Sequence, residues 1–123
     1  MKKLIVIVIA VAAVFGLTSC GSSSPSSVVK DYMKALKAQN YEKAISYTVV
    51  DDPELAKMYV EKMKGFDLKI LDYKILSEEI DEGGNTAGVE VQFTRTTNEA
   101  PEPETTTDVL ELTKVDGKWK INV

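Results

Sequence analysis

The chain has 123 residues, 15 Lys plus Arg against 19 Asp plus Glu, no His and a single Cys. That length sets one domain, and the side-chain inventory excludes His-based acid–base chemistry, most transition-metal sites and any disulfide framework. A formal charge of −4 and a pI near 4.9 disfavour nucleic acid as a partner, because such affinity comes chiefly from Lys and Arg on phosphates.

In chain order, Lys2 and Lys3 form a short positive region, and Leu4 to Leu17 is apolar or small throughout. As a helix, those residues span roughly 21 Å, short of the ~30 Å hydrocarbon core of a bilayer. They therefore read as the apolar region of a secretory signal and not as a transmembrane span. Leu17-Thr18-Ser19-Cys20 follows, a Leu and two small residues before the only Cys. This resembles the bacterial lipobox. The resemblance implies cleavage between Ser19 and Cys20, acylation of Cys20 (diacylglycerol and, commonly, a palmitate-type chain) and a membrane anchor through that residue. Two or three acyl chains give stable attachment where one holds only marginally.

Removing residues 1–19 leaves 104 residues with 13 basic and 19 acidic side chains, a formal charge of −6. Residues 20–27 read as the lipidated Cys and a Ser-rich flexible tether, and 28–123 as the folded domain. Seven such tether residues stretch about 25 Å at most, so the domain stays close to the lipid surface. No Asp or acidic run follows Cys20. By resemblance to known sorting signals, this implies the periplasmic side of the outer membrane in a Gram-negative host. In a host with one membrane, the domain faces outward in the cell envelope.

Ser26 or Ser27 can cap a first helix, whose Val29, Tyr32, Met33 and Leu36 recur at helical spacing with Val28 and Ala35 beside them. Asn40 is expected to end it. From Tyr41 to Thr48, the residues Tyr41, Ala44, Ile45 and Thr48 share a face. Asp52-Pro53-Glu54 then supplies a cap, a Pro in the first turn and an acid near the helix start. Leu55, Met58, Tyr59 and Met63 are expected to form the buried stripe of this third helix, with Gly65 closing it.

After Gly65 the period becomes two. Phe66, Leu68 and Ile70 share one parity, Leu71, Tyr73 and Ile75 the other, which predicts a bulge or bend near residues 70 to 72. Glu82-Gly83-Gly84-Asn85 is a turn. Val89, Val91 and Phe93 alternate with Glu90, Gln92 and Thr94, so one face is buried and the other wet. Asn98 to Glu104 carries two Pro and three Glu and reads as an exposed loop. Leu110 and Leu112 point inward on the next strand, Asp116-Gly117 is a two-residue hairpin signal, and Trp119, Ile121 and Val123 alternate to the end. The order α-α-α-β-β-β-β predicts an α+β fold with helices packed on one face of a curved, four-stranded antiparallel sheet.

The opening helix, the Asn40-Tyr41-Glu42-Lys43-Ala44 step into a second helix and the Val115-Asp116-Gly117-Lys118-Trp119-Lys120-Ile121 hairpin resemble the nuclear transport factor 2-like superfamily. This is a cone-shaped, cystatin-like roll, and the likeness extends to lumazine-binding-like lipoproteins of unassigned function. The resemblance implies a concave sheet with helices across it, and Tyr32, Tyr47, Tyr59, Phe93 and Trp119 pointing into the cone. Enzymes of the superfamily use Asp, Tyr or His there. Without His, only an Asp–Tyr pair drawn from Asp67 or Asp72 and Tyr32 or Tyr59 remains, and no residue matches a catalytic motif position by position. No enzyme activity, catalytic residue, metal or cofactor is therefore expected. Arg95, the only Arg, continues the inward parity of Phe93 and is a candidate for holding a carboxylate or phosphate. Lys30, Lys34 and Lys37 lie opposite the apolar stripe of the first helix and are candidates for contact with anionic headgroups. The acidic run Glu78 to Asn85 fits no EF-hand spacing. The expected role is binding of a small apolar or amphipathic ligand, or of a protein partner. The alternatives are a structural module that forms a homodimer or joins an envelope assembly, and an isomerase- or dehydratase-type enzyme.

Overall fold

The computed structural model describes residues 24–123. The signal segment, its cleavage position at Ser19 and Cys20, and the acylation of Cys20 lie outside the described residues.

Three helices precede four strands: α1 (Pro25–Lys37), α2 (Tyr41–Ser46), α3 (Pro53–Phe66), β1 (Lys69–Ile80), β2 (Thr86–Thr96), β3 (Glu104–Val115) and β4 (Lys118–Ile121). The strands form one antiparallel sheet in the order β1-β2-β3-β4. The α+β class and the element order are those expected, and the sheet is open, not closed into a barrel.

The first helix starts earlier than the Ser run suggested. Ser24 caps it, Pro25 occupies the first helical position, and the Ser24 and Ser27 side chains each bond the other's backbone N–H. Several adjacent Ser residues offer the same capping oxygen, and Pro25 selects Ser24 because its fixed φ suits the position after a cap. Part of the expected tether is therefore helix. At the other end Gln39, not Asn40, turns the chain, with φ 59°. Asn40 caps α2 through the Lys43 N–H.

The core lies between α1, α2 and the inner face of the sheet. Val28, Val29, Met33, Ala35 and Leu36 of α1 and Tyr41, Ala44 and Ile45 of α2 are buried with Ile70, Val89, Val91, Leu112, Trp119 and Ile121. Burying each large side chain contributes about 1.5–3 kcal/mol. Thr48, also buried, turns its hydroxyl onto the Ile45 carbonyl.

β1 contains two bulges, one between Ile70 and Asp72 as expected and a second between Ile75 and Ser77. Each inserts one residue with no partner on β2, and together they set the inward positions as Ile70, Tyr73, Ile75 and Glu78, opposite Arg95, Phe93, Val91 and Val89. Glu78 thus faces the helices, where its carboxylate accepts the Ser26 N–H at 2.9 Å. An acid at a helix start is favoured by the helix dipole and satisfies an orphan donor. The Asp116-Gly117 hairpin forms as expected, with φ 52° and 80°. Val123 lies beyond β4 and is exposed.

α3 departs from the expected burial. Only Val60 is buried, Ala56, Tyr59 and Met63 are half-buried, and Leu55 and Met58 are 41% and 64% exposed. The helix is apolar on two sides, and the side that docks is Ala56-Tyr59-Val60-Met63. It leans on α2 more than on any strand. Gly65 does not close it. The helix runs on to Phe66, and Asp67 takes the left-handed conformation (φ 54°, ψ 47°), with Asp67 N–H on the Lys64 carbonyl and Leu68 N–H on the Met63 carbonyl. Asn98, at the end of β2, holds the extra turn by bonding the Gly65 and Phe66 carbonyls.

Candidate functional site

The inner face of the sheet is divided along its length. Where β1 ends and β2 begins, it is filled. Trp119 is 6% exposed, with the Lys114 ammonium 5.1 Å from its ring centre, a cation–π contact. Towards the end of β2 and the start of β3 the cover thins, while Ile70 on β1, paired with Arg95, stays buried. Tyr73 and Phe93 face each other across the strands and are half-buried, and Arg95, two residues on, is exposed. Opposite Arg95 on β3 is Glu104, followed by Thr106 and Asp108 on the same face. No Arg95–Glu104 ion pair forms.

The six expected ligand residues are therefore not one site. Trp119 pairs with Lys114, and the Lys114 N–H bonds the Asn85 carbonyl, which places Trp119 level with the start of β2. Arg95 lies ten residues along that strand, a contour of roughly 30 Å. No small ligand touches both. Tyr47 belongs to the Trp119 end, since its carbonyl accepts the Ile121 N–H. Tyr32 and Tyr59, on α1 and α3, are half-buried against the core. Burial pushes the Tyr32 hydroxyl above the ordinary tyrosine pKa. Phe93, Tyr73 and Arg95 form the group that the sheet brings together, and Asn98 ties the end of α3 beside it.

The Asp–Tyr pairing is not assembled. Asp67 sits exposed at the α3 terminus, and Asp72 is exposed and turns its carboxylate onto the neighbouring Tyr73 N–H. Within the acidic run, Glu78 is engaged by Ser26, and Asp81 binds the Glu82 N–H and the Thr86 hydroxyl within its own turn. No group of three acids, Cys or His able to hold a metal occurs among the described residues.

Lys30, Lys34 and Lys37 are exposed along α1, as expected. Lys30 also lines an open groove of about 500 Å³ between the first turns of α1 and the middle of β1, with Ser24, Ser26, Ser27, Tyr73, Lys74 and Ile75. Lys74 was not anticipated as part of this surface. Its pairing with Gln92 puts it on the outer face of the sheet, and it borders the groove only because β1 is the free edge strand. The one ion pair among the described residues, Lys69 with Asp67 at 3.7 Å, involves none of these lysines. No described helix is long and apolar enough to cross a membrane.

Three helices laid across an open antiparallel sheet, closed over one end and uncovered at the other, define the nuclear transport factor 2-like α+β fold, and solved structures agree. A SEC-C motif-containing protein from Rhodopseudomonas palustris superposes with a TM-score of 0.59 at 16% identity, over 81% of this chain and 76% of its own. A protein described as an NTF2-like transpeptidase from Campylobacter jejuni gives 0.50 at 18% identity, over 82% and 99%. One described as a polyketide cyclase from Pseudomonas putida gives 0.51 at 14%, over 82% and 90%. Identities this low establish the fold alone. Residues 18–122 match the family described as Domain of unknown function (DUF4878), and the chain belongs to that family. No curated protein matches.

Proposed function

We propose that the protein is a lipoprotein anchored through Cys20 on the outer side of the cytoplasmic membrane, or on the periplasmic side of the outer membrane, and that its domain binds a small amphipathic anion. The observation that carries the binding reading is the uncovered end of the cone. Phe66, at the end of α3 and tied to Asn98, is exposed, and the half-buried Phe93 and Tyr73 lie on the sheet with Arg95, which forms no ion pair among the described residues, at the rim. Apolar surface beside a single free guanidinium suits a ligand with a flat or aliphatic body and a carboxylate or phosphate head. The likeness to lumazine-binding-like lipoproteins is in keeping with a flat body. The anchor rests on the Leu17-Thr18-Ser19-Cys20 pattern.

The assembly alternative draws less support. The outer face of the sheet carries Glu90, Gln92, Thr94, Thr105, Thr107 and Glu111 around the exposed Val109, a mostly polar surface ill-suited to an apolar dimer interface. The enzyme alternative lacks a carboxylate buried beside a Tyr hydroxyl among the described residues.

Native mass spectrometry of the protein purified gently from its host tests the binding reading. A retained adduct that is lost in Arg95→Gln supports it, and a bare dimer overturns it in favour of assembly. Membrane attachment that persists in Cys20→Ala overturns the anchor.

A further inference from the structure

We infer that the α1–β1 side of the domain, carrying Lys30, Lys34, Lys37 and Lys74, lies flat on the anionic surface of the bilayer that holds the anchor. This rests on the anchor reading above and adds to it a fixed orientation.

Three observations converge. The first is chain length. Ser24 caps α1 only four residues after Cys20, a reach of at most about 14 Å. The start of α1 is thereby held within roughly one helix diameter of the headgroups. The second is charge. Lys30, Lys34 and Lys37 recur at spacings of four and three, which keeps them on one exposed side over about 10 Å of helix axis. Lys74 joins Lys30 at the groove. None of the four has a carboxylate within ion-pair distance among the described residues. The acids exposed along α1 and β1 are Asp31, Asp72 and Glu79, against Lys30, Lys34, Lys37, Lys69 and Lys74, so the side is net positive on a domain that is otherwise strongly acidic.

The third observation removes the competing posture. The chain comes in beside the end of β1, where Glu79, Asp81 and Glu82 cluster at the β1–β2 turn and are exposed. A domain standing on that end would press these acids into an anionic surface. Lying on α1 moves them to the margin and puts the ammonium groups of Lys30, Lys34 and Lys37 within a Debye length of the phosphates, with Lys74 at the β1 edge beside them. Each Lys near such a surface adds to the attraction, which salt screens. The groove, with its three Ser residues and Tyr73, then opens onto the headgroup layer. The Arg95 end of the cone lies at the far end of β1–β2 from the anchor, and remains open.

The test uses the full acylated protein reconstituted in vesicles of phosphatidylcholine alone, or containing about 30% phosphatidylglycerol. Lysine amines are labelled briefly and each site is read by peptide mass. Lys57, Lys62 and Lys64 on α3 and Lys118 in the hairpin serve as internal references. Labelling of Lys30, Lys34, Lys37 and Lys74 is expected to fall severalfold on the anionic vesicles alone, and to recover at high salt. Equal labelling on both vesicles overturns the orientation, as does protection that ignores salt. Protection shifted to α3 or the hairpin overturns it in favour of a different face. The intact mass of the same sample reports the acyl chains on Cys20, so a failed anchor and a failed orientation give different results. Joint replacement Lys30→Gln, Lys34→Gln, Lys37→Gln and Lys74→Gln leaves the anchor in place and is expected to abolish the vesicle-dependent change in Asp31-region hydrogen exchange.

Discussion

Gly65 and Asp67 give a sharp test of how α3 ends. Gly65 is helical, and a Cβ built on it meets nothing within 4 Å. Its carbonyl bond to Asn98 does not involve the side chain. Gly65→Ala therefore removes backbone freedom from the unfolded chain at no packing cost, worth about 0.5–1 kcal/mol of added stability. Asp67 carries the left-handed turn with φ 54°. That conformation costs a typical L-residue about 1–2 kcal/mol, and Asp somewhat less. Asp67→Gly relieves it but adds unfolded-state freedom, for a net gain of about 0.5 kcal/mol. The lost Lys69 contact is long and exposed and contributes little. For a domain of about 100 residues, each change raises Tm by roughly 2–6 °C. Thermal and urea unfolding of both variants measure this, with an unchanged m-value showing that stability moved without a change in the surface exposed on unfolding. Had Gly65 been the left-handed terminator, Gly65→Ala would cost about 1 kcal/mol. A lowered Tm for that variant refutes the account of the α3 terminus.

Other outcomes follow from single contacts. Glu78→Ala removes the carboxylate from the Ser26 N–H and is expected to cost about 1–2 kcal/mol in urea unfolding, with Glu78→Gln recovering part of it. Leu112→Ala, at a fully buried position between β2 and β4, is expected to cost about 2–5 kcal/mol by the same measurement. Tyr32 holds its proton more tightly when folded than unfolded. Its contribution is fully present below the unfolded value near pH ~10 and is lost as pH rises through the higher folded value. Tyr32→Phe should leave stability at neutral pH little changed and flatten the alkaline fall, as followed by unfolding at a series of pH values. Arg95 is exposed and forms no ion pair among the described residues, so Arg95→Gln should leave Tm within about 1–2 °C of the parent while removing any bound anion.

The element order was legible because each signal was local. The Asp116-Gly117 pair fixes its hairpin whatever surrounds it, and the α1 stripe and the Val89-Val91-Phe93 alternation each have one apolar side. α3 was misread because it has two. Leu55-Met58-Phe66 and Ala56-Tyr59-Val60-Met63 both recur at helical spacing, and only the position of α2 decides which docks. Glu78 looked like part of a solvated acidic run, since its inward parity depends on two bulges upstream. Parity also placed Arg95 and Trp119 on the same face without saying how far apart they are. That distance is set by strand register, which the hairpin turns reveal only once both pairings are known.

The two bulges in β1 bear on a hazard that anchoring would create. Copies tethered to one surface meet far more often than copies in solution, and a free sheet edge invites its neighbour to pair with it. β1 is the longer edge, 12 residues, and a straight strand of that length would present an unbroken ladder. Instead, extra residues at Leu71 and Leu76 break the repeat twice and coil the strand, so no second chain can follow it for more than a few bonds. The opposite edge, β4, is four residues long, and the 47–49 segment takes up both backbone groups of Ile121. Crowded side by side, the domains have no long edge through which to polymerise.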